Sequence, residues 1–229
     1  MTILVTGANK GIGLEICRQL ARLKHNVILS ARSAQKGEAA VKQLASEGLK
    51  VDFLLLDTAN EDSILRAARE LKQRIKSLNV LINNAAILDT WQGSILTAKA
   101  DDLRATFNTN VVGPVSLTLA LLPLLEAGKP ARVINVSSGL GSVQNMTDGW
   151  ASYGISKAAL NAATRKLAQA LKGRGIAVNA ASPGWVRTDM GTDSAPLPIE
   201  KGGHNIARLI DLPSSVTDKF LEEHGEIPW

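Results

Sequence analysis

Short aliphatic and β-branched runs alternate with longer stretches of helical spacing along nearly the whole chain, and this alternation restricts the fold more than any other feature. The strand-like segments are Ile3 to Val5, Val27 to Ser30, Val51 to Leu56, Val80 to Asn83, Arg132 to Ser137 and Ile176 to Ala181. Between them lie helical stretches near residues 12 to 24, 34 to 47, 61 to 76, 101 to 126 and 151 to 172. In the first of these, Ile12, Ile16, Leu20 and Leu23 form one apolar stripe that fits against a sheet. Strand, helix, strand is therefore the repeating unit. Right-handed crossovers of that kind return the chain to the same direction and build an α/β doubly wound parallel sheet, with helices on both faces. A last helix near Glu200 to Ile210 and a short strand near Lys219 to Leu221 bring the expectation to about seven strands in one domain, residues 1–229. Ser182 to Pro198, rich in Gly, Pro, Ser and Thr, reads as a long loop over the carboxyl edge of the sheet.

Composition narrows the class of function. With 45% apolar and 21% charged residues, the chain is not disordered. Only 3% are aromatic, so Leu, Ile, Val and Ala must fill the core. Cys17 is the single cysteine, which rules out a disulfide scaffold and suits a reducing, cytoplasmic compartment. No apolar run reaches the roughly 18 residues of a membrane span, and the segment from Met1 reads as a strand entering a turn rather than as a signal peptide. The formal charge of +5 raises nucleic acid as a partner, but Lys and Arg are scattered with few aromatics beside them. A small polyanionic ligand uses the same charge locally.

The first strand runs into Thr6-Gly7-Ala8-Asn9-Lys10-Gly11-Ile12-Gly13 and then into the first amphipathic helix. In that context Gly7 permits the tight turn, Gly11 lets a pyrophosphate approach the backbone, and Gly13 lets the helix lie close to the sheet. A dinucleotide site follows. NAD sites place an acidic residue about 20 positions beyond the turn, yet no Asp or Glu occurs between Glu15 and Glu38, and the second strand ends in Ser30-Ala31-Arg32. Arg32 can grip a ribose 2′-phosphate with its planar fork while Lys10 adds a point charge, so NADP is the expected cofactor. Asp57 and the adjoining Thr58, after the third strand, fit the adenine edge instead.

The only tyrosine opens a helix as Tyr153-Gly154-Ile155-Ser156-Lys157, a spacing that sets phenol and ammonium on one helix face. Bringing a phenol from a pKa of about 10 to neutrality requires roughly 4 kcal/mol of preference for phenolate. Lys157 can supply part of that, and a bound oxidised nicotinamide more. Ser137-Ser138 closes the preceding strand, Asn83-Asn84-Ala85-Ala86 closes the fourth at the same edge, and Asn110 sits inside a helix, where Asn is disfavoured. His25, His204 and His224 are too scattered for zinc, so no metal is expected. Trp91, Leu140, Trp150, Trp185 and Met190 are candidates for an apolar substrate pocket.

Together, T-G-x-x-x-G-x-G, N-N-A-A, Thr109-Asn110-Val111-Val112-Gly113, Ser138, Y-x-x-x-K and Pro183-Gly184 resemble the short-chain dehydrogenase/reductase family, over residues 3 to about 190. Asn9-Lys10, Ser30-Ala31-Arg32, the run Pro183 to Met190 and Trp229 are similar to its NADPH-dependent carbonyl reductase branch. The resemblance implies a Rossmann fold in which Tyr153 is the proton donor and Lys157 binds the nicotinamide ribose. It implies that Ser138 holds the carbonyl oxygen, and that Asn110 kinks its helix and holds a water linked to Lys157. Gly7, Asn9, Lys10, Gly11, Ile12, Gly13 and Arg32 would surround the phosphates, Asn84 and Ala85 the adenosine side, and Pro183, Gly184, Val186 and Thr188 the nicotinamide amide. The implied reaction is NADPH-dependent reduction of a ketone or aldehyde. Reduction of a 3-oxoacyl carrier protein shares every catalytic residue, and an NADP-sensing module with a vestigial site is the reading from another class. Ala86 replaces the family's usual Gly, and Ser138 stands fifteen residues before Tyr153. The long insertion that the animal carbonyl reductases carry before the tyrosine is missing, which opens helix faces for a homo-oligomer, a dimer or tetramer.

Overall fold

In the computed structural model, which describes residues 1–88 and 93–229, β1 (Thr2–Val5) lies at the middle of the sheet. It pairs in parallel with β2 (Asn26–Ala31) on one side and with β4 (Val80–Asn83) on the other. Beyond β2 lies β3 (Asp52–Leu55); beyond β4 come β5 (Ala131–Val136), β6 (Ile176–Ala181), β7 (Phe220–Glu222) and β8 (Gly225–Glu226). The order is β3-β2-β1-β4-β5-β6-β7-β8. Because the chain leaves β3 at one edge and re-enters beside β1 as β4, a crevice opens at the carboxyl ends of β1 and β4, where such sheets bind ligands. The strand count is eight rather than the expected seven or so: β8 is an antiparallel hairpin partner of β7, two residues long and without an apolar pattern to announce it.

Alternate side chains of each central strand enter two different cores, which is why the strands read as unbroken apolar runs. Ile3, Val5, Val27, Leu29, Val80 and Ile82 join a core under α1 (Gly11–Arg22), α2 (Ala34–Ser46) and α8 (Ile199–Ala207). Leu4, Ile28 and Leu81 join the opposite core under α3 (Glu61–Arg74), α5 (Gly113–Ala120), α6 (Leu122–Ala127) and α7 (Ala151–Leu171). The helix expected over residues 101 to 126 is broken. It runs as α4 (Ala100–Phe107), a π-helical turn over Asn108–Val112, then α5 and α6. Gly113, at the start of α5, must be glycine because a Cβ there would lie 2.3 Å from the Thr58 carbonyl oxygen. The loop 182–198 is partly ordered by a parallel bridge between Val186 and Leu197. Among the described residues, no helix is long and apolar enough to cross a membrane.

Candidate active site

The glycine turn is set by three different constraints. Gly7 and Gly11 both have φ of +61°, a region L side chains avoid. A Cβ on Gly7 would lie 2.7 Å from Ala85 Cα, and one on Gly13 would lie 2.5 Å from Asn84 Nδ2 and 2.8 Å from Gly7 O. Gly11 instead faces open space, its nearest neighbour being Thr188 Cγ2 at 4.0 Å. The cradle is therefore open where a phosphate would sit and closed where the turn meets β4. At the start of α1, Lys10 gives no side-chain cap and no acidic residue occupies the first turn, so unspent N–H groups and the positive helix end face the cradle.

Thr6, the residue before the first glycine, ties this turn to β4. Its Oγ1 accepts the amides of Asn84 at 3.0 Å and Ala85 at 2.9 Å. Asn84 answers by donating Nδ2 to the carbonyls of Thr6 at 2.8 Å and Gly7 at 3.2 Å. The Asn84 side chain thus spends its amide on the turn itself rather than on the adenosine side. The signal was present as a hydroxyl beside the first glycine.

Arg32 follows β2, is exposed, and has no ion-pair or hydrogen-bond partner among the described residues. Lys10 differs: its Nζ pairs with Asp189 Oδ2 at 2.5 Å, joining the glycine turn to the 182–198 loop. Its charge is shared, a contact between residues 179 positions apart that no local pattern reveals. Asp57 Oδ1 accepts the amide of Ala59 at 3.0 Å, which spends one carboxylate oxygen on its own turn, and Thr58 is buried under Gly113.

Ser138, Tyr153 and Lys157 are brought together at the carboxyl end of β5. Ser138 caps a 3₁₀ turn, its Oγ accepting the Leu140 amide at 3.2 Å, and its hydroxyl is also the side-chain hydrogen-bond partner of the Tyr153 phenol. Gly141 lets that turn lie on α7, since a Cβ there would meet Lys157 Cβ at 2.8 Å. Lys157 is 2% exposed, donates Nζ to Val136 O at 2.7 Å, and lies 5.4 Å from the centroid of the Tyr153 ring. Burial pushes the ammonium down to about 7, and it pushes the phenol above its ordinary value against the opposing Ser138 hydrogen bond. The protein's own groups therefore do not acidify Tyr153; an extra positive charge or hydrogen-bond acceptor beside Lys157 is needed to reverse the direction. Two N–H donors of the ammonium have no partner among the described residues.

Asn110 is fully buried in the π-helical turn. Its Oδ1 accepts the Ile87 amide at 2.9 Å, and its Nδ2 donates to Ile87 O at 2.9 Å and Ser156 Oγ at 3.1 Å. Ser156 Oγ in turn donates to Tyr153 O at 2.7 Å. Asn110 thus reaches α7 through Ser156, with no direct bond to Lys157. Ser156 was legible only as a small residue inside Y-x-x-x-K.

Of the apolar candidates, Leu140 and Trp150 line a recess of about 190 Å³ formed with Ile95, Met146 and the first turn of α7. Trp185 and Met190 are 57% and 38% exposed on the 182–198 loop, and Trp91 lies outside the described residues.

A parallel sheet with a glycine turn after β1 at its switch point, and with a Ser after β5 meeting a Tyr and a Lys of α7, defines a class of nucleotide-dependent oxidoreductases. The sequence pattern of the short chain dehydrogenase family matches residues 1–196, and the chain belongs to that family. Its relatives narrow this to the carbonyl reductase branch. Carbonyl reductase [NADPH] 3 of Rattus norvegicus is 36% identical over 269 residues, covering 98% of this chain and 94% of the relative. The carbonyl reductase Sniffer of D. melanogaster superposes with a TM-score of 0.91 at 32% identity, covering 100% of this chain and 99% of that one. An NADPH-bound carbonyl reductase from chicken fatty liver gives 0.88 at 31% identity, covering 100% and 98%.

Proposed function

We propose that this enzyme reduces the carbonyl group of ketones or aldehydes with NADPH, with Tyr153 as proton donor. The observation that carries the reading is the convergence at the carboxyl end of β5 of the half-buried Ser138 hydroxyl, the buried Tyr153 phenol it partners and the buried Lys157, whose Nζ lies 5.4 Å from the Tyr153 ring centroid. NADP fits the residues present: the free N–H groups of α1 suit a pyrophosphate, the unpartnered Arg32 suits a 2′-phosphate, and the two unspent donors of Lys157 suit ribose hydroxyls. When bound, the reduced cofactor supplies the hydride for the carbonyl carbon. The Ser138 hydroxyl donates to the carbonyl oxygen as it gains negative charge, and Tyr153 delivers the proton that completes the alcohol. Lys157, drawn back to its charged state by acceptors on the ribose, stabilises the phenolate left behind. Asn110 keeps the start of α7 in place through Ser156. The homo-oligomer implied by the family is supported by Val112 and Leu119, 52% and 54% exposed on the π-turn and α5.

Two measurements test this. NADPH consumption is expected with apolar ketones and quinones and to be far slower with acyl thioesters; silence across a broad ketone panel overturns the reading. Arg32→Ala is expected to weaken NADPH by about ten- to a hundredfold, the worth of a charge-assisted hydrogen bond, and NADH by less than about twofold. Equal losses in fluorescence titrations with the two cofactors remove Arg32 from the phosphate site.

A further inference from the structure

Trp229 sits where three parts of the molecule meet. Its ring stacks on Phe220 of β7, with centroids 5.7 Å apart and an interplanar angle of 27°. Phe220 is fully buried, so the stack has a rigid floor. On α7, Arg165 places its guanidinium carbon 5.3 Å from the indole centroid and is itself held by Asp218, Nε to Oδ1 at 3.2 Å. Held this way, Trp229 presents its backbone carbonyl oxygen to the amides of Val143 at 3.1 Å and Gln144 at 3.4 Å.

Those two residues begin the stretch between Ser138 and Tyr153 that leaves the sheet. Val143 is 66% exposed, so its own side chain does little to anchor it. Further along, Met146 and Trp150 join Leu140, Gly154, Ile155 and, from across the mouth, Ile95 in lining the recess of about 190 Å³. Asp148 Oδ1 fastens the far end by accepting the Ile95 amide at 3.1 Å. The recess is linked to the reacting groups through its lining: Leu140 donates its amide to Ser138 Oγ, and Gly154 is the chain neighbour of Tyr153 on α7. Its wall is mainly apolar, and Trp229 is one of the contacts that fasten it.

We infer that Trp229 is a positioning residue for substrate, bracing residues 143–150 so that the recess is preformed for an apolar substituent of the carbonyl compound. The inference rests on the carbonyl-reductase reading of this site. Released from the brace, the stretch must be ordered each time a substrate enters, and that entropy is taken from substrate affinity. Tyr153 and Lys157, held by α7, keep their places.

The test compares wild type with Trp229→Ala, Trp229→Phe and Arg165→Met, using an aryl ketone and a small dialkyl ketone. Trp229→Ala is expected to raise KM for the aryl ketone by about tenfold while kcat and the Kd for NADPH stay within about twofold. KM for the small ketone, which leaves the recess unfilled, is expected to hold. Trp229→Phe keeps the stack and is expected to restore most of the loss. Amide hydrogen exchange is read in parallel: Val143 and Gln144 are expected to exchange at least about tenfold faster in Trp229→Ala, with β5 and α7 unchanged. This readout needs no turnover, so an enzyme inactive on every ketone overturns the reaction without touching the brace. Unaltered exchange at Val143 and Gln144, or a fall in kcat or NADPH affinity that matches the rise in KM, overturns the brace. Should Trp229→Ala fail to fold, Arg165→Met decides, since it is expected to move KM and exchange in the same direction, and no change in either rejects the inference.

Discussion

Tyr153→Phe is expected to lower kcat for ketone reduction by about 10² to 10⁴-fold, the usual contribution of a positioned acid or base. NADPH affinity is expected to stay within about twofold, because the substitution removes one hydroxyl and leaves the ring packed. The phenol is buried, with the Ser138 hydroxyl as its side-chain partner, so no bulk water stands ready to replace it as donor. Melting temperature is expected to change little, since the ring keeps its volume and only a neutral hydrogen bond is lost. Single-turnover kinetics with NADPH and an active ketone check the result. A variant that retains most of its kcat shows that another group donates the proton.

Lys157→Met is expected to abolish most of the activity and, at the same time, to change how stability depends on pH. Lys157 titrates near 7 in the folded protein against an ordinary value of 10.5, because burial penalises its charge. Between those two values the unfolded chain holds a proton that the folded chain has released. Stability therefore rises with pH across that window, at no more than about 1.4 kcal/mol per pH unit from this group. Below the folded value both states are protonated and the folded protein bears the full cost of a buried cation. Methionine has no charge to lose. The stability advantage of Lys157→Met over wild type, or its deficit, should shift toward wild type as pH rises from 7 to 8.5. That upper limit avoids Cys17, whose thiol burial pushes up, so that above its ordinary value of 9.0 it acts with the opposite sign. Thermal melts of the protein without added nucleotide check this, and parallel profiles for the two proteins would show that Lys157 does not carry a depressed pKa. In the assay, kcat is expected to fall by at least about 10²-fold, with NADPH also bound more weakly through the loss of two donors to the ribose.

The two predictions depend on features of different legibility. Tyr153 and Lys157 were recognisable because a helix repeats every 3.6 residues, so four-residue spacing puts two side chains on one face. Ser138 was readable because it ends an apolar run and must emerge at the carboxyl edge of a parallel strand. The direction of the phenol's shift was not. It depends on how much water the surrounding helices exclude, and burial is decided by packing between segments far apart in sequence. The same separation hid the Lys10 to Asp189 pair, the hold of Thr6 on Asn84 and Ala85, and the Ser156 bridge from Asn110 to α7. The break at Asn108–Val112 was foreshadowed by one disfavoured Asn, but a π-helical turn rests on Asn110 reaching the Ile87 backbone, a contact without a side-chain signature at Ile87.

The alternation of aliphatic runs with amphipathic stretches, and the glycines at Gly7, Gly11 and Gly13, determined on their own a parallel sheet with a nucleotide crevice at its switch point. Those are consequences of local stereochemistry and of burying apolar surface on both faces of one sheet, and each element carries its own share of the information. Tertiary structure alone decided which charges are shared, which donors remain free, how far Lys157 is driven toward neutrality, and that Trp229 meets the stretch beginning at Val143. Electrostatic shifts and long-range hydrogen bonds depend on distance and on excluded water, quantities that exist only once remote segments are packed together.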